Sequence, residues 1–126
     1  MRIERFEEIQ AWQEARLLTR MVYEVSSSGP FAKDFGLRDQ VRRAAGSAMH
    51  NIAEGFDAGS DTEFIRFLKY ARRSASEVQS QLYIALDCRY ITQDQFRRIY
   101  DQATSVKKLI NAFIGYLQKS HHRASK

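Results

Sequence analysis

Histidines, cysteines and carboxylates are the side chains from which a small protein most readily builds catalysis or a metal site. This chain has three histidines and one cysteine. His50 and Glu54 stand four residues apart, a spacing that puts both on one helical face and could hold one edge of a metal ion. On a solvated helix the same pair is an ordinary surface contact. Helical di-iron sites place a glutamate three residues before a histidine on two helices, and no acid precedes a histidine by three here. His121 and His122 fall in a polar C-terminal segment. Cys88 has no activating partner near it in sequence and reads as a reduced packing cysteine. There is no Gly-rich phosphate loop, Cys-x-x-Cys pair or serine elbow. The residues predict a non-enzyme with no catalytic residue, metal or cofactor.

The cations are more suggestive. Twenty Lys and Arg against fifteen Asp and Glu leave a net charge of +5, with a pI near 9.6. From Arg97 onward seven basic residues face Asp101 alone, so this end accounts for the whole excess. Such an end can track phosphates by counterion release, and a solvated helix face has the same composition. Helical spacing places Arg66, Lys69 and Arg73 on one polar stripe with no acid inside it. Arg43, Ser47, His50 and Glu54 form a second polar back face, and Arg97 and Lys108 oppose an apolar stripe further on. Arg42 and Glu77 flank apolar stripes and could pair at a helix boundary. Arg42, Arg43, Arg66, Lys69, Arg73, Arg97 and Lys108 are thus the candidate nucleic-acid contacts. No aromatic stacking platform or base-reading helix-turn-helix is evident.

Four amphipathic helices must position these groups. The first is expected from Phe6 to Val25, where Phe6, Ile9, Trp12, Ala15, Leu18, Val22 and Val25 recur at steps of three and four. The SSSGPF segment around Pro30, the only proline, reads as a loop. The second helix carries Leu37, Val41, Ala44, Ala48, Ile52 and Gly55, a narrow face whose small residues let a neighbouring helix come close. Ser60-Asp61-Thr62-Glu63 fits a capping box and opens the third, with Phe64, Phe67, Ala71, Ala75, Val78, Leu82 and Ala85 inward. Thr92-Gln93-Asp94-Gln95 opens the fourth, with Phe96, Ile99, Ala103, Val106, Ile110, Phe113 and Leu117 inward. Short connections make neighbours antiparallel, so the expected fold is an all-α, up-down four-helix bundle over residues 1–119 with a polar basic tail at 120–126. At 126 residues and 44% hydrophobic content the chain can bury a core without disulfides. A charged N-terminus and the absence of a long apolar run predict a cytoplasmic protein with no membrane span.

Several segments resemble one family. Phe6 through Tyr23 with Ala11-Trp12-Gln13-Glu14-Ala15, then Phe35-Gly36-Leu37, Gln40-Val41-Arg42-Arg43-Ala44-Ala45 with Ser47, and Asn51-Ile52-Ala53-Glu54-Gly55 look like the bundle proteins encoded in intervening sequences of bacterial 23S ribosomal RNA genes. The similarity continues through Glu63-Phe64, Phe67-Leu68, Ala71, Ser74 and Glu77. Ala48-Met49-His50 stands where the family often has a proline-containing stretch, and Arg73 where glycine usually precedes the serine. The resemblance implies motif positions at Trp12, Arg42, Arg43, Ser47, Asn51, Glu54, Gly55, Ser74 and Glu77. It implies no catalytic residues, a ring-like homopentamer, and kinship with the accessory variability proteins of diversity-generating retroelements, which bind nucleic acid and a reverse transcriptase. Trp12, six tyrosines and two long helices also leave surface for an interface beyond one core.

The leading expectation is a non-enzymatic oligomeric scaffold that binds RNA or DNA, or a nucleic-acid-processing partner such as a reverse transcriptase, through cationic helix faces. The alternative is a purely structural or protein-interaction oligomer whose charge maintains solubility. A metal enzyme using His50 and Glu54 is a third class.

Overall fold

Three of the helices begin where a side chain satisfies the amides that a first turn leaves unpaired. The structure is a computed structural model and describes residues 3–124, with side chains for residues 3–119. Its helices are α1 (Gln10–Val25), α2 (Gly29–Lys33), α3 (Phe35–Asp57), α4 (Asp61–Asp87) and α5 (Gln93–Ala124). Asp34 caps α3 by accepting from the Leu37 amide at 3.1 Å, and Ser60 caps α4 by accepting from the Glu63 amide at 3.2 Å. At α5 the capping box is reciprocal: Thr92 Oγ1 accepts from the Gln95 amide at 3.1 Å, and the Thr92 amide donates to Gln95 Oε1 at 2.8 Å. The hydroxyl of Tyr90 also donates to Asp34, at Oδ2 over 3.0 Å, tying the α4–α5 turn to the start of α3. That hydrogen bond, then burial and the nearby carboxylate charge, raise the Tyr90 pKa above the usual tyrosine value.

The side-chain contacts give the direction of every packed pair. Ser47 meets Ser74 while Gly55 meets Phe64, so α3 and α4 are antiparallel. Gln79 reaches Thr104 and Arg72 reaches Asn111, so α4 and α5 are too. Thr19 donates to the Ala45 carbonyl and Arg42 to Ser26, which sets α1 against α3. Helix α5 also packs on α1, so α1, α3, α4 and α5 close a ring around one core. Leu18, Val22, Val41, Ile52, Leu68, Val78, Leu82, Ile99, Val106 and Ile110 are all but fully buried within it.

Several sequence expectations change. The first helix is interrupted: Phe6–Glu8 form a 3-10 turn, and extended Ile9 separates it from α1. This lets Phe6 fold back edge-on to Trp12 at 5.2 Å. The SSSGPF loop contains α2, because proline tolerates a first helical turn whose amides have no partner. Phe31 of α2 is buried and stacks on Tyr90 at 5.5 Å. On α4, Leu68 is buried in place of Phe67, and on α5 Ile114 in place of Phe113. The flanking positions Phe64 and Ala71, and Ile110 and Leu117, are inward as expected, so each helix takes a four-residue step and then a three where the reading had three and then four, an order that the repeat alone does not fix. Cys88 does not pack: α4 ends at Asp87, leaving the thiol exposed in the turn. Helix α5 continues to Ala124, through most of the segment expected as a tail. The side chains of His121, His122 and Arg123, and residues 125–126, lie outside the described ones. Among the described residues no helix is long and apolar enough to cross a membrane.

The small-residue face of α3 is where two backbones come closest. Ala44, Ala45, Ala48 and Gly55 are buried, and a Cβ at Gly55 would lie 2.8 Å from Phe64 Cδ1 and 2.9 Å from Phe67 Cβ. The α4 atoms nearest to it include Phe64 backbone, so relief requires the helices to separate. Gly55→Ala should therefore destabilise the fold by about 1–3 kcal/mol despite alanine's better helix propensity. Ala at Gly46, where only the His50 side chain lies within 4 Å, should stabilise or leave stability unchanged. Paired thermal melts of the two variants measure the difference.

Candidate nucleic-acid interface

Exposed residues on α4 build an ordered cationic surface. Arg66, Lys69 and Arg73 all face solvent, but they are not equivalent. Arg66 forms an ion pair with Glu63 at 2.7 Å, one turn earlier, and that hydrogen bond raises its pKa. Glu63, one turn before the stripe, thus already engages one of its three cations. Arg66 also donates to Tyr70 Oη at 3.2 Å, with its guanidinium 5.6 Å from the ring centroid. Arg73 lies 5.7 Å from the same centroid, and Phe67 meets Tyr70 edge-on at 5.9 Å. A tyrosine ring with two guanidinium groups within about 6 Å of its centroid, and Lys69 next to it in sequence, has the composition of a stacking platform for nucleic-acid bases. Sequence reasoning missed Tyr70, although its spacing of four from Arg66 and three from Arg73 already placed it between them.

Arg42 and Arg97 do not join this face. Arg42 is half-buried: it donates to Ser26 Oγ at 2.8 Å, to the Ser26 carbonyl and to Ser27 Oγ, and stacks 4.5 Å over Tyr23. It closes the C-terminal end of α1 and is neither a free phosphate contact nor the expected partner of Glu77. A cation at a helix C-terminus meets the negative end of the helix dipole, which accounts for its place there. Arg97 and Lys108 are exposed on α5. Because α5 runs against α4, Arg97 is level with the far end of α4, about 30 Å along the axis from Arg66.

A second feature lies between α3 and α4, where Gln40, Arg43, Ala44, Ser47, Ser74, Glu77 and Gln81 line a polar groove. Ser47 was expected on the back face of its helix. Instead its Oγ accepts from Ser74 Oγ at 2.9 Å and from Asn51 Nδ2 at 3.0 Å, inside the α3–α4 seam. The seam is narrow enough for hydroxyls to meet directly because alanines and Gly55 flank it. Thus the motif residues Ser47, Gly55 and Ser74 meet across two helices and Asn51 donates to Ser47 within α3, while Arg43 and Glu77 line the groove. Trp12 is buried rather than available as an interface residue, with Arg16 5.9 Å above its ring. His50 and Glu54 are exposed, and among the described residues no group of three or more His, Cys, Asp or Glu is placed to hold a metal.

These elements define an all-helical, single-domain protein whose polar features lie along the α3–α4 side of a helical bundle. The family model described as 23S rRNA-intervening sequence protein matches residues 7–112, and the chain belongs to that family. The crystal structure of a protein of unknown function from the S23 ribosomal protein family, from Bacteroides thetaiotaomicron VPI-5482, is similar. It shares 27% identity at a TM-score of 0.75, with 82% of this chain and 97% of that chain covered. The search of curated proteins returned no match.

The serine pair makes a stability prediction. Ser74 is 6% exposed, so Ser47→Ala leaves a buried hydroxyl without its partner and should cost about 1–3 kcal/mol. Replacing both serines with alanine removes the orphan as well as the bond, and should cost less than the two single changes added together. Chemical denaturation of the four proteins of this cycle reads the coupling.

Proposed function

We propose that this protein is a non-enzymatic, oligomeric four-helix-bundle scaffold that binds single-stranded RNA along the outer face of α4. The observation that carries the reading is the Tyr70 ring with the Arg66 and Arg73 guanidinium groups 5.6 and 5.7 Å from its centroid and Lys69 exposed nearby on the same helix. Guanidinium and ammonium groups neutralise phosphates, and the aromatic ring offers a face to any base. Membership in a family described by an rRNA intervening sequence supports RNA as the class of nucleic acid. The arrangement favours affinity without strong sequence preference along this face, because neither phosphate contacts nor stacking read base identity.

The oligomeric part has its own support. An apolar groove between α1 and α5 is lined by Ile9, Ala11, Leu109, Ala112, Phe113 and Tyr116, and Tyr83 and Ile84 are about half exposed on α4. These surfaces suit contacts between copies, in a ring of five by family resemblance, or with a partner protein such as a reverse transcriptase. If they carry the whole role, the protein is an interaction scaffold without RNA.

Salt dependence separates the two readings. Lys69→Ala with Arg73→Ala should weaken binding to a uridine dodecamer and reduce the slope of log affinity against log salt by about 1.4, at ~0.7 per lost single-strand contact. Both side chains are exposed, so the melting curve should barely move. Fluorescence anisotropy at three salt concentrations gives the slope. An unchanged affinity and slope would leave only the protein-interaction reading.

A further inference from the structure

The α3–α4 groove has features that helix packing alone does not require. Arg43 stands on its α3 wall, Glu77 and Gln81 on its α4 wall, and the hydrogen-bonded Ser47 and Ser74 lie between. Among the described residues the ion pairs involve neither Arg43 nor Glu77. The Oε1 of Gln81 is the one buried side-chain nitrogen or oxygen among the described residues with no hydrogen-bond partner. Buried acceptors are ordinarily paired, and an orphan needs an explanation.

We propose that this groove binds one unpaired guanine base of a strand lying on the α4 face, an assignment that rests on the RNA-binding reading above. Guanine presents O6 and N7 as adjacent acceptors on one edge, and an arginine fork pairs with both. Its Watson–Crick edge presents the N1 hydrogen and the 2-amino group as adjacent donors. The groove matches this pattern wall by wall. Arg43 supplies donors from α3, and the two carboxylate oxygens of exposed Glu77 supply paired acceptors from α4. Adenine offers one amino donor beside a ring acceptor, which would set a lone pair against the Glu77 carboxylate. Uracil lacks paired acceptors for an arginine fork, and cytosine, whose O2 and N3 could meet one, has no pair of adjacent donors for the Glu77 carboxylate.

The groove is also continuous with the proposed strand path. Arg66, Tyr70, Arg73, Glu77 and Gln81 follow one another at steps of four, three, four and four, which is a single stripe along α4. Tyr70 and Glu77 are about 10 Å apart along the axis, roughly three nucleotides of a strand stacked at ~3.4 Å. A base stacked on Tyr70 and a guanine in the groove can therefore belong to one short segment.

The test uses uridine dodecamers carrying one central G, A, C or inosine, beside the all-uridine strand, at one fixed low salt concentration. The G-containing strand should bind about tenfold more tightly than the all-U, A or C strands, the discrimination of one good base contact. Inosine keeps O6, N7 and the N1 hydrogen but lacks the 2-amino group, and should lose most of the preference. Glu77→Gln halves the carboxylate's acceptor capacity without changing its shape. It should reduce the G preference to threefold or less while binding all-U RNA no more weakly than wild type, which also shows that the variant is folded. Free GMP should fail to displace the G-containing strand at concentrations where that strand displaces itself. Equal affinity for G, A and C strands would overturn the guanine assignment and leave RNA binding intact. Binding of none of the strands would overturn the RNA-binding reading as well. Displacement by GMP as effective as by the strand would make the groove a free-nucleotide site and overturn its assignment to RNA.

Discussion

The close approach of α3 to α4 is the constraint on which the other features depend. Gly55 allows it at one end, where even a methyl group would collide with Phe64 and Phe67, and Ala44, Ala45 and Ala48 keep the α3 face small through the middle. Two helices this close have no room for large side chains between them, and two serines meet instead, Ser47 with Ser74 at 2.9 Å. The longer side chains of Arg43, Glu77 and Gln81 flank the two serines, with Gln81 Oε1 itself buried. They stand along its edges and form the walls of the groove. A tight apolar contact and an open polar site are thus two consequences of one packing distance.

The net charge of +5 is not spread as a uniform field. Several cations are engaged by other side chains or backbone of the bundle. Arg42 closes the end of α1, Lys107 donates to Gln79 Oε1 at 2.8 Å across α4 and α5, and Arg72 donates to Asn111 at 2.7 Å. Each is held by neutral oxygens, so its positive charge persists while its donors are occupied. Lys69 and Arg73 remain outward, around an aromatic ring. Position, rather than the number of basic residues, distinguishes a surface able to meet phosphates from one that only keeps the protein soluble.

The four long helices, the starts of α4 and α5 and most of the inward faces could be read from the sequence because they follow from local rules. Capping needs a particular side chain three residues before a particular amide, as at Ser60 and Thr92. Amphipathic spacing needs only the helical repeat, and it correctly placed Leu18, Val22, Val41, Ile52, Val78, Leu82, Ile99 and Ile110 inside. The close-packing role of Gly55 was legible for the same reason, since small residues on an inward face have few other uses. What the tertiary structure alone decided was which of two plausible faces a borderline residue takes. Ser47 entered the seam, Phe67 yielded to Leu68, and Arg42 turned to the end of α1 instead of to Glu77. Those outcomes depend on the rotation of each helix against its neighbours and on partners up to 27 residues away, as in the serine pair. Periodicity along one helix contains no term for either, and so the helices could be derived from the chain while the groove between them could not.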